Sequence, residues 1–181
     1  MAIITIVSGS PSRSSRLHGL TGYAESKLLQ AGNTVETIYA ADLPAEDLIK
    51  ANFASTAIRQ ALQTIEKSDG LIVASPVYKA AYTGVLKTFL DLLPQKGLQG
   101  KVALPLFIGG TIAHLLSIDY ALKPVLSAMS CTNILTGVYA TDQWVARSED
   151  GSFVLTEELT ARLDDSLTQL HDELRWKAQR Q

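Results

Sequence analysis

A chain of 181 residues, 46% hydrophobic and 19% charged, carries apolar material for one sizeable core at about 100–200 residues per domain, so residues 1–181 are expected to form a single domain. A net charge of −2 supplies neither a basic field for nucleic acid nor a polybasic patch for an anionic membrane. The lone cysteine, Cys131, has no internal partner, the apolar runs are strand-sized against the roughly 20 residues of a bilayer span, and the N-terminus lacks a signal-peptide pattern; a cytoplasmic location away from any membrane is the expectation.

The first predicted strand, Ile3-Ile4-Thr5-Ile6-Val7, runs into Ser8-Gly9-Ser10-Pro11-Ser12-Arg13-Ser14-Ser15-Arg16. A buried strand opening into a Ser-rich turn before a helix is a phosphate site in outline, where hydroxyls and free backbone N–H groups surround the anion and the Arg13 guanidinium grips two of its oxygens. The same loop also fits a plain turn in which Ser14 or Ser15 caps the helix. Leu17, Leu20, Ala24, Leu28 and Ala31 then fall at helical spacing, stopped by Gly32-Asn33. Val35, Thr37 and Tyr39 alternate as an outer strand, a short helical piece is expected at 45–51, and Ile58, Ala61, Leu62 and Ile65 mark the next helix.

Leu71-Ile72-Val73-Ala74 is apolar on both faces, as the middle of a parallel sheet requires. It ends in Ser75-Pro76-Val77-Tyr78-Lys79, followed by a helix that turns Val85, Leu86, Phe89, Leu90 and Leu93 inward. Val102 to Ile108 form the fourth strand, ending in Gly109-Gly110-Thr111; Pro105 within it is a mild objection, because proline is unwelcome in a central strand. A helix over 112–129 is apolar round more of its circumference than one core contact needs, which predicts a subunit interface. Ile134 to Ala140 read as a fifth strand, 142–154 as a hairpin or loose loop around Asp150-Gly151, and Leu155 to Leu174 as the closing helix.

Strands alternating with helices predict an α/β fold, a doubly wound five-stranded parallel sheet, with ligands at the C-terminal strand ends. The three unusual loops, after strands one, three and four, all lie there. Together they describe a ligand with a phosphate at one end and a flat polar ring at the other, as in flavin mononucleotide (FMN). Pro76, Val77 and Tyr78 offer an apolar edge and an aromatic ring, and Gly109-Gly110 lets backbone approach the polar edge. Ordinary turn chemistry explains each loop equally well when taken singly.

The loop Gly9 to Ser15, the run Ala74-Ser75-Pro76-Val77-Tyr78-Lys79-Ala80-Ala81-Tyr82-Thr83-Gly84-Val85-Leu86-Lys87, and Gly109-Gly110-Thr111 with His114-Leu115-Leu116 and Asp119-Tyr120-Ala121-Leu122-Lys123-Pro124 resemble the NADPH-dependent FMN reductases. Within them they resemble the flavin reductases of two-component alkanesulfonate monooxygenase systems. That resemblance implies a flavodoxin-like fold, a homodimer or homotetramer, and reduction of FMN by NADPH for a partner monooxygenase. By motif it implies that Ser10, Ser12, Arg13, Ser14 and Ser15 hold the phosphate, that Pro76, Val77, Tyr78 and Lys79 line the ring, and that Gly109, Gly110 and Thr111 meet its far edge. It associates Tyr120 with a π-helical bulge at the subunit interface and with flavin release.

Hydride transfer between stacked rings needs no protein nucleophile, so no catalytic side chain and no metal ligand is assigned. His114 stands beside the third loop as a ligand contact or a structural residue, and Lys79 as a phosphate partner or a solvated lysine. The first loop is not a Gly-x-Gly-x-x-Gly fingerprint, which argues against a tightly held dinucleotide. Two alternatives stay open: an FMN-containing quinone, azo or metal reductase that keeps its flavin, and a flavodoxin-like electron carrier.

Overall fold

The computed structural model describes residues 1–180. Strand β1 (Ile3–Ser8) leads through the Ser-rich loop into α1 (Leu17–Gln30), whose buried Leu17, Leu20, Ala24 and Leu28 recur at helical spacing. Gly32, at φ +81°, ends that helix and turns the chain into β2 (Thr34–Tyr39). Helices α2 (Ala45–Ile49) and α3 (Thr56–Lys67) follow, then β3 (Gly70–Pro76), α4 (Gly84–Leu90) and β4 (Val102–Gly109).

The main sheet is parallel throughout, in the order β2-β1-β3-β4, with the next position beside β4 shared by β5 (Asn133–Ile134) and β6 (Val138–Thr141). β3 and β4 are buried along their whole length. Edge strand β2 alternates from Thr34 to Thr37, but Ile38 is its most buried residue, because helices cover both faces of the sheet. One apolar layer packs Ile58, Ile65, Leu86, Phe89, Leu122 and Leu126 on one face of the sheet; the other packs Leu17, Leu20, Leu28, Leu159, Leu163 and Leu170 of α1 and α6 (Glu157–Ala178) on the opposite face. This is a doubly wound sheet with one fifth position, and no helix among the described residues is long and apolar enough to cross a membrane.

Two predicted elements are broken. The fifth strand, expected unbroken over 134–140, splits at 135–137. The Ala103 carbonyl accepts from Leu135 N–H, so Pro105, two residues on, turns its ring nitrogen toward the same neighbour. The missing N–H therefore falls opposite the gap. Gly137, at φ +84°, fills the gap, and a Cβ there would lie 2.6 Å from the Pro105 carbonyl oxygen.

The helix expected over 112–129 is a 3-10 turn at Ile112–His114, a π-helical turn at Ile118–Leu122 and a short α5 at Lys123–Ala128. Pro124 cannot donate to the Tyr120 carbonyl, and the ladder widens so that Lys123 N–H reaches back five residues to Ile118. Its apolar residues also divide: Ile118, Leu122 and Leu126 are core, while Ile112, Leu115, Leu116 and Tyr120 face solvent.

Residues 142–154, read from sequence as a hairpin or loose loop, form a hairpin. β7 (Val145–Arg147) pairs antiparallel with β8 (Phe153–Leu155), and Gly151 turns the chain at φ +84°.

Candidate flavin site

The sheet order changes direction between β1 and β3, and in open α/β sheets such a switch point opens a crevice at the carboxyl ends of the strands. A cleft of about 290 Å3 lies there. The backbone is tied together beneath it. Gly9 N–H donates to the Ala74 carbonyl at 2.8 Å, and the Thr83 hydroxyl donates to the Gly9 carbonyl at 2.6 Å. Thr83 also caps α4 by accepting from Leu86 N–H at 3.1 Å, and its own N–H donates to Ser75 Oγ at 3.0 Å. The first and second loops are thereby held by one fully buried threonine.

In the first loop the hydroxyls organise the chain locally. Ser10 Oγ donates to the Ser12 carbonyl at 2.9 Å, Ser12 and Ser14 share a hydroxyl–hydroxyl bond of 2.9 Å, and Ser15 Oγ accepts from Leu17 N–H at 3.2 Å at the start of α1. Ser15 thus helps to begin the helix, as the plain-turn reading expects, and the loop also lines the cleft. Arg13 is placed differently from expectation: its guanidinium pairs with Asp42 and lies 3.1 Å over the centre of the Tyr39 ring, outside the cleft lining. His18, whose Nε2 bonds the Ser12 carbonyl at 3.1 Å, packs beside Tyr39, and burial pushes its pKa below the usual 6.5.

The second loop is a tight turn. Tyr78 N–H donates to the Ala81 carbonyl at 2.9 Å and Ala81 N–H returns a bond of 3.2 Å, which forces Lys79 and Ala80 to φ +51° and +65°. Two non-glycine residues in the left-handed region store strain beside the cleft, which Tyr78 helps to line. In the third loop a Cβ on Gly109 would fall inside the Tyr139 hydroxyl and meet Val77 Cβ at 3.4 Å, so only glycine fits. The Tyr139 hydroxyl donates to the Thr111 carbonyl at 2.7 Å and fixes the exit of that loop. Burial, with Asp142 adding in the same direction, pushes the Tyr139 phenol up and keeps it a donor.

The cleft gathers Ser10, Ser12, Ser14, Ser15, Pro76, Val77, Tyr78, Gly109 and Gly110 of the residues singled out in the sequence, and leaves Arg13, Lys79 and Thr111 outside its lining. It adds Arg16, Ile108, Asp142 and Arg147. Arg16 adjoins the Ser-rich loop and Ile108 the Gly-Gly loop, so neighbourhood alone could have found them. Asp142 and Arg147 come from the hairpin region, which carries no motif. Because β3 lies between β1 and β4, the hydroxyl loop and the Gly-Gly loop occupy opposite sides of the cleft. Hydroxyls and guanidinium groups at one side, with an aromatic ring and glycine backbone toward the other, fit a phosphate and a flat polar ring system.

The fold is that of a flavodoxin-like α/β protein, with a cleft at the switch point of its sheet. The model of the NADPH-dependent FMN reductase family matches residues 1–146, and the chain belongs to that family of oxidoreductases. It is 49% identical over 169 residues to an FMN reductase (NADPH) of Escherichia coli, covering 92% of this chain and 86% of that protein. It is 44% identical over 170 residues to an FMN reductase (NADPH) of Pseudomonas putida, covering 93% and 86%. Among solved structures, the apo form of the NADH:FMN oxidoreductase EmoB superposes with a TM-score of 0.84 at 34% identity, covering 94% of this chain and 88% of that one.

Proposed function

We propose that this enzyme binds FMN as a substrate in the cleft at the β1–β3 switch point and releases it, once reduced, to a monooxygenase that desulfonates alkanesulfonates. When both ligands are bound, the nicotinamide of NADPH supplies a hydride to the flavin ring. The protein's part is placement. Ser10, Ser12, Ser14 and Ser15, with the N-terminus of α1, receive the phosphate. Arg13 stands beside them, held by an exposed ion pair with Asp42 of a kind worth under about 1 kcal/mol, so a phosphate can draw it across. Pro76, Val77 and the exposed Tyr78 line the ring, with Lys79 at the tip of the turn beside it. Backbone N–H groups of Gly109, Gly110 and Thr111 stand at its polar edge. Such fixed contacts orient the ring for transfer and contribute no proton or nucleophile.

The observation that carries the release step is the π-helical turn at Ile118–Leu122, with Tyr120 at its centre 78% exposed. Ile112, Leu115 and Leu116 are also exposed in the same segment, a concentration of apolar surface that a second copy of the chain would cover in a homodimer or homotetramer. Tyr120 then packs across that interface and keeps FMN loosely held.

Steady-state kinetics with NADPH test this reading. Turnover should saturate with added free FMN, as for a substrate, and coupling to an FMNH2-dependent alkanesulfonate monooxygenase should release sulfite. A rate independent of added FMN, with flavin retained through dialysis, would instead favour a reductase that keeps its flavin as a prosthetic group.

A further inference from the structure

We infer that Arg147, on the hairpin that follows the sheet, supplies a guanidinium to the charge of the flavin phosphate. The inference rests on the FMN reading above and goes beyond it, since it adds to the site a residue of the hairpin that none of the three loop motifs contains.

Arg147 lines the same cleft as Ser10, Ser12, Ser14 and Ser15, and its Nη2 donates to the carbonyl of Ser14 in the middle of the Ser-rich loop. The two other arginines near the loop also have protein partners. Arg13 pairs with Asp42 and stacks on Tyr39, and Arg16 spends its Nε on the Val145 carbonyl at 3.0 Å. Neither Arg16 nor Arg147 makes an ion pair among the described residues, and of the two only Arg147 bonds the Ser-rich loop itself. The acidic residue of the cleft, Asp142, sits by Gly110, 3.8 Å from where a Cβ there would lie, on the side away from the serines. A carbonyl is a neutral acceptor and uses only part of a guanidinium's five donors, so the charge and further N–H groups of Arg147 remain for an anion.

The hairpin is built to hold that side chain in place. Val145 is buried, and Gly19 of α1 leaves room for it: a Cβ on Gly19 would lie 2.9 Å from Val145 Cγ1 and 3.0 Å from Phe153 Cβ. Thr156 N–H closes the base of the hairpin on the Trp144 carbonyl at 3.0 Å, and the Arg147 guanidinium lies 5.6 Å from the centre of the Phe153 ring. The phosphate end of the site is thus closed by a segment some 130 residues downstream of the loop it covers.

The test compares FMN with riboflavin, which has the same ring and no phosphate, by quenching of flavin fluorescence on titration with the full chain. Arg147→Gln should weaken FMN binding about tenfold or more, the range of a lost charge-assisted bond, leave riboflavin binding unchanged, and leave the KM for NADPH unchanged. Arg147→Lys should retain part of the FMN preference, and Arg13→Ala should weaken FMN less than Arg147→Gln does. The inference is overturned if Arg147→Gln leaves FMN affinity intact, if it weakens FMN and riboflavin alike, or if it raises the KM for NADPH instead. Those outcomes leave the FMN reading standing. A parent protein that binds FMN no better than riboflavin removes both.

Discussion

Gly109→Ala isolates the packing that shapes the third loop. A methyl at Gly109 enters the space of the Tyr139 hydroxyl, and Tyr139, only 4% exposed, has no room to withdraw. Accommodating it breaks the 2.7 Å bond from Tyr139 to the Thr111 carbonyl, a loss of about 0.5–1.5 kcal/mol. It also overpacks a buried position, which costs about 1–3 kcal/mol, so a total near 2–4 kcal/mol is expected. Removing the hydroxyl first changes the outcome. In a Tyr139→Phe background the added methyl meets the ring at 3.3 Å, tight but relieved by a small shift, and the same substitution should cost under about 1.5 kcal/mol. Urea unfolding of the four proteins measures the coupling as a double-mutant cycle. Equal cost of Gly109→Ala in both backgrounds would refute the claim that the Tyr139 hydroxyl sets the position of the loop.

Other expectations follow from single observations. Leu116→Glu should lower the molar mass in light scattering while leaving stability near the parent, because Leu116 is exposed; Leu126→Glu should unfold the protein, because Leu126 is wholly within the core. Unchanged mass in the first variant would place the interface elsewhere. Deleting Tyr120 should restore regular helix after Ile118, raise the fraction of protein purified with flavin bound and slow turnover of free FMN; a colourless variant that folds and turns over at the parental rate would contradict a release role. His18 resists protonation in the folded state because it is partly buried, with Arg13 opposing and Asp42 favouring the charge. The unfolded chain therefore binds the extra proton first, and stability should fall as pH drops below about 6.5. His18→Asn should flatten that slope, and an unaltered acid limb would show that His18 does not contribute to it.

Much of the architecture was legible because β1, β3 and β4 are continuous apolar runs bounded by loops of distinct chemistry. The break in the fifth strand was not, because it arises from Pro105 on the neighbouring strand, which periodicity along one segment cannot register. The segment 112–129 shows both sides: its apolar content hid the division into 3-10, π and α turns, while the pairing of Tyr120 with Pro124 pointed to the irregular position. In the cleft, the serines and glycines lie next to the strands that carry them, and local pattern was enough to place them in its lining. The arginines were not readable that way. Arg13 is in the motif yet meets Asp42, 29 residues on, and Arg147 reaches the Ser14 carbonyl from 133 residues away. Long-range side-chain commitments of that kind depend on how α1, β2 and the hairpin pack together.

The most direct measurement mixes the purified protein anaerobically with an excess of FMN and NADPH, follows the flavin absorbance, and then passes the mixture through a filter that retains the protein. The account predicts that many equivalents of FMN are bleached per protein chain and that reduced flavin appears in the filtrate. Flavin that stays oxidised, or that is reduced once and retained with the protein, would contradict it.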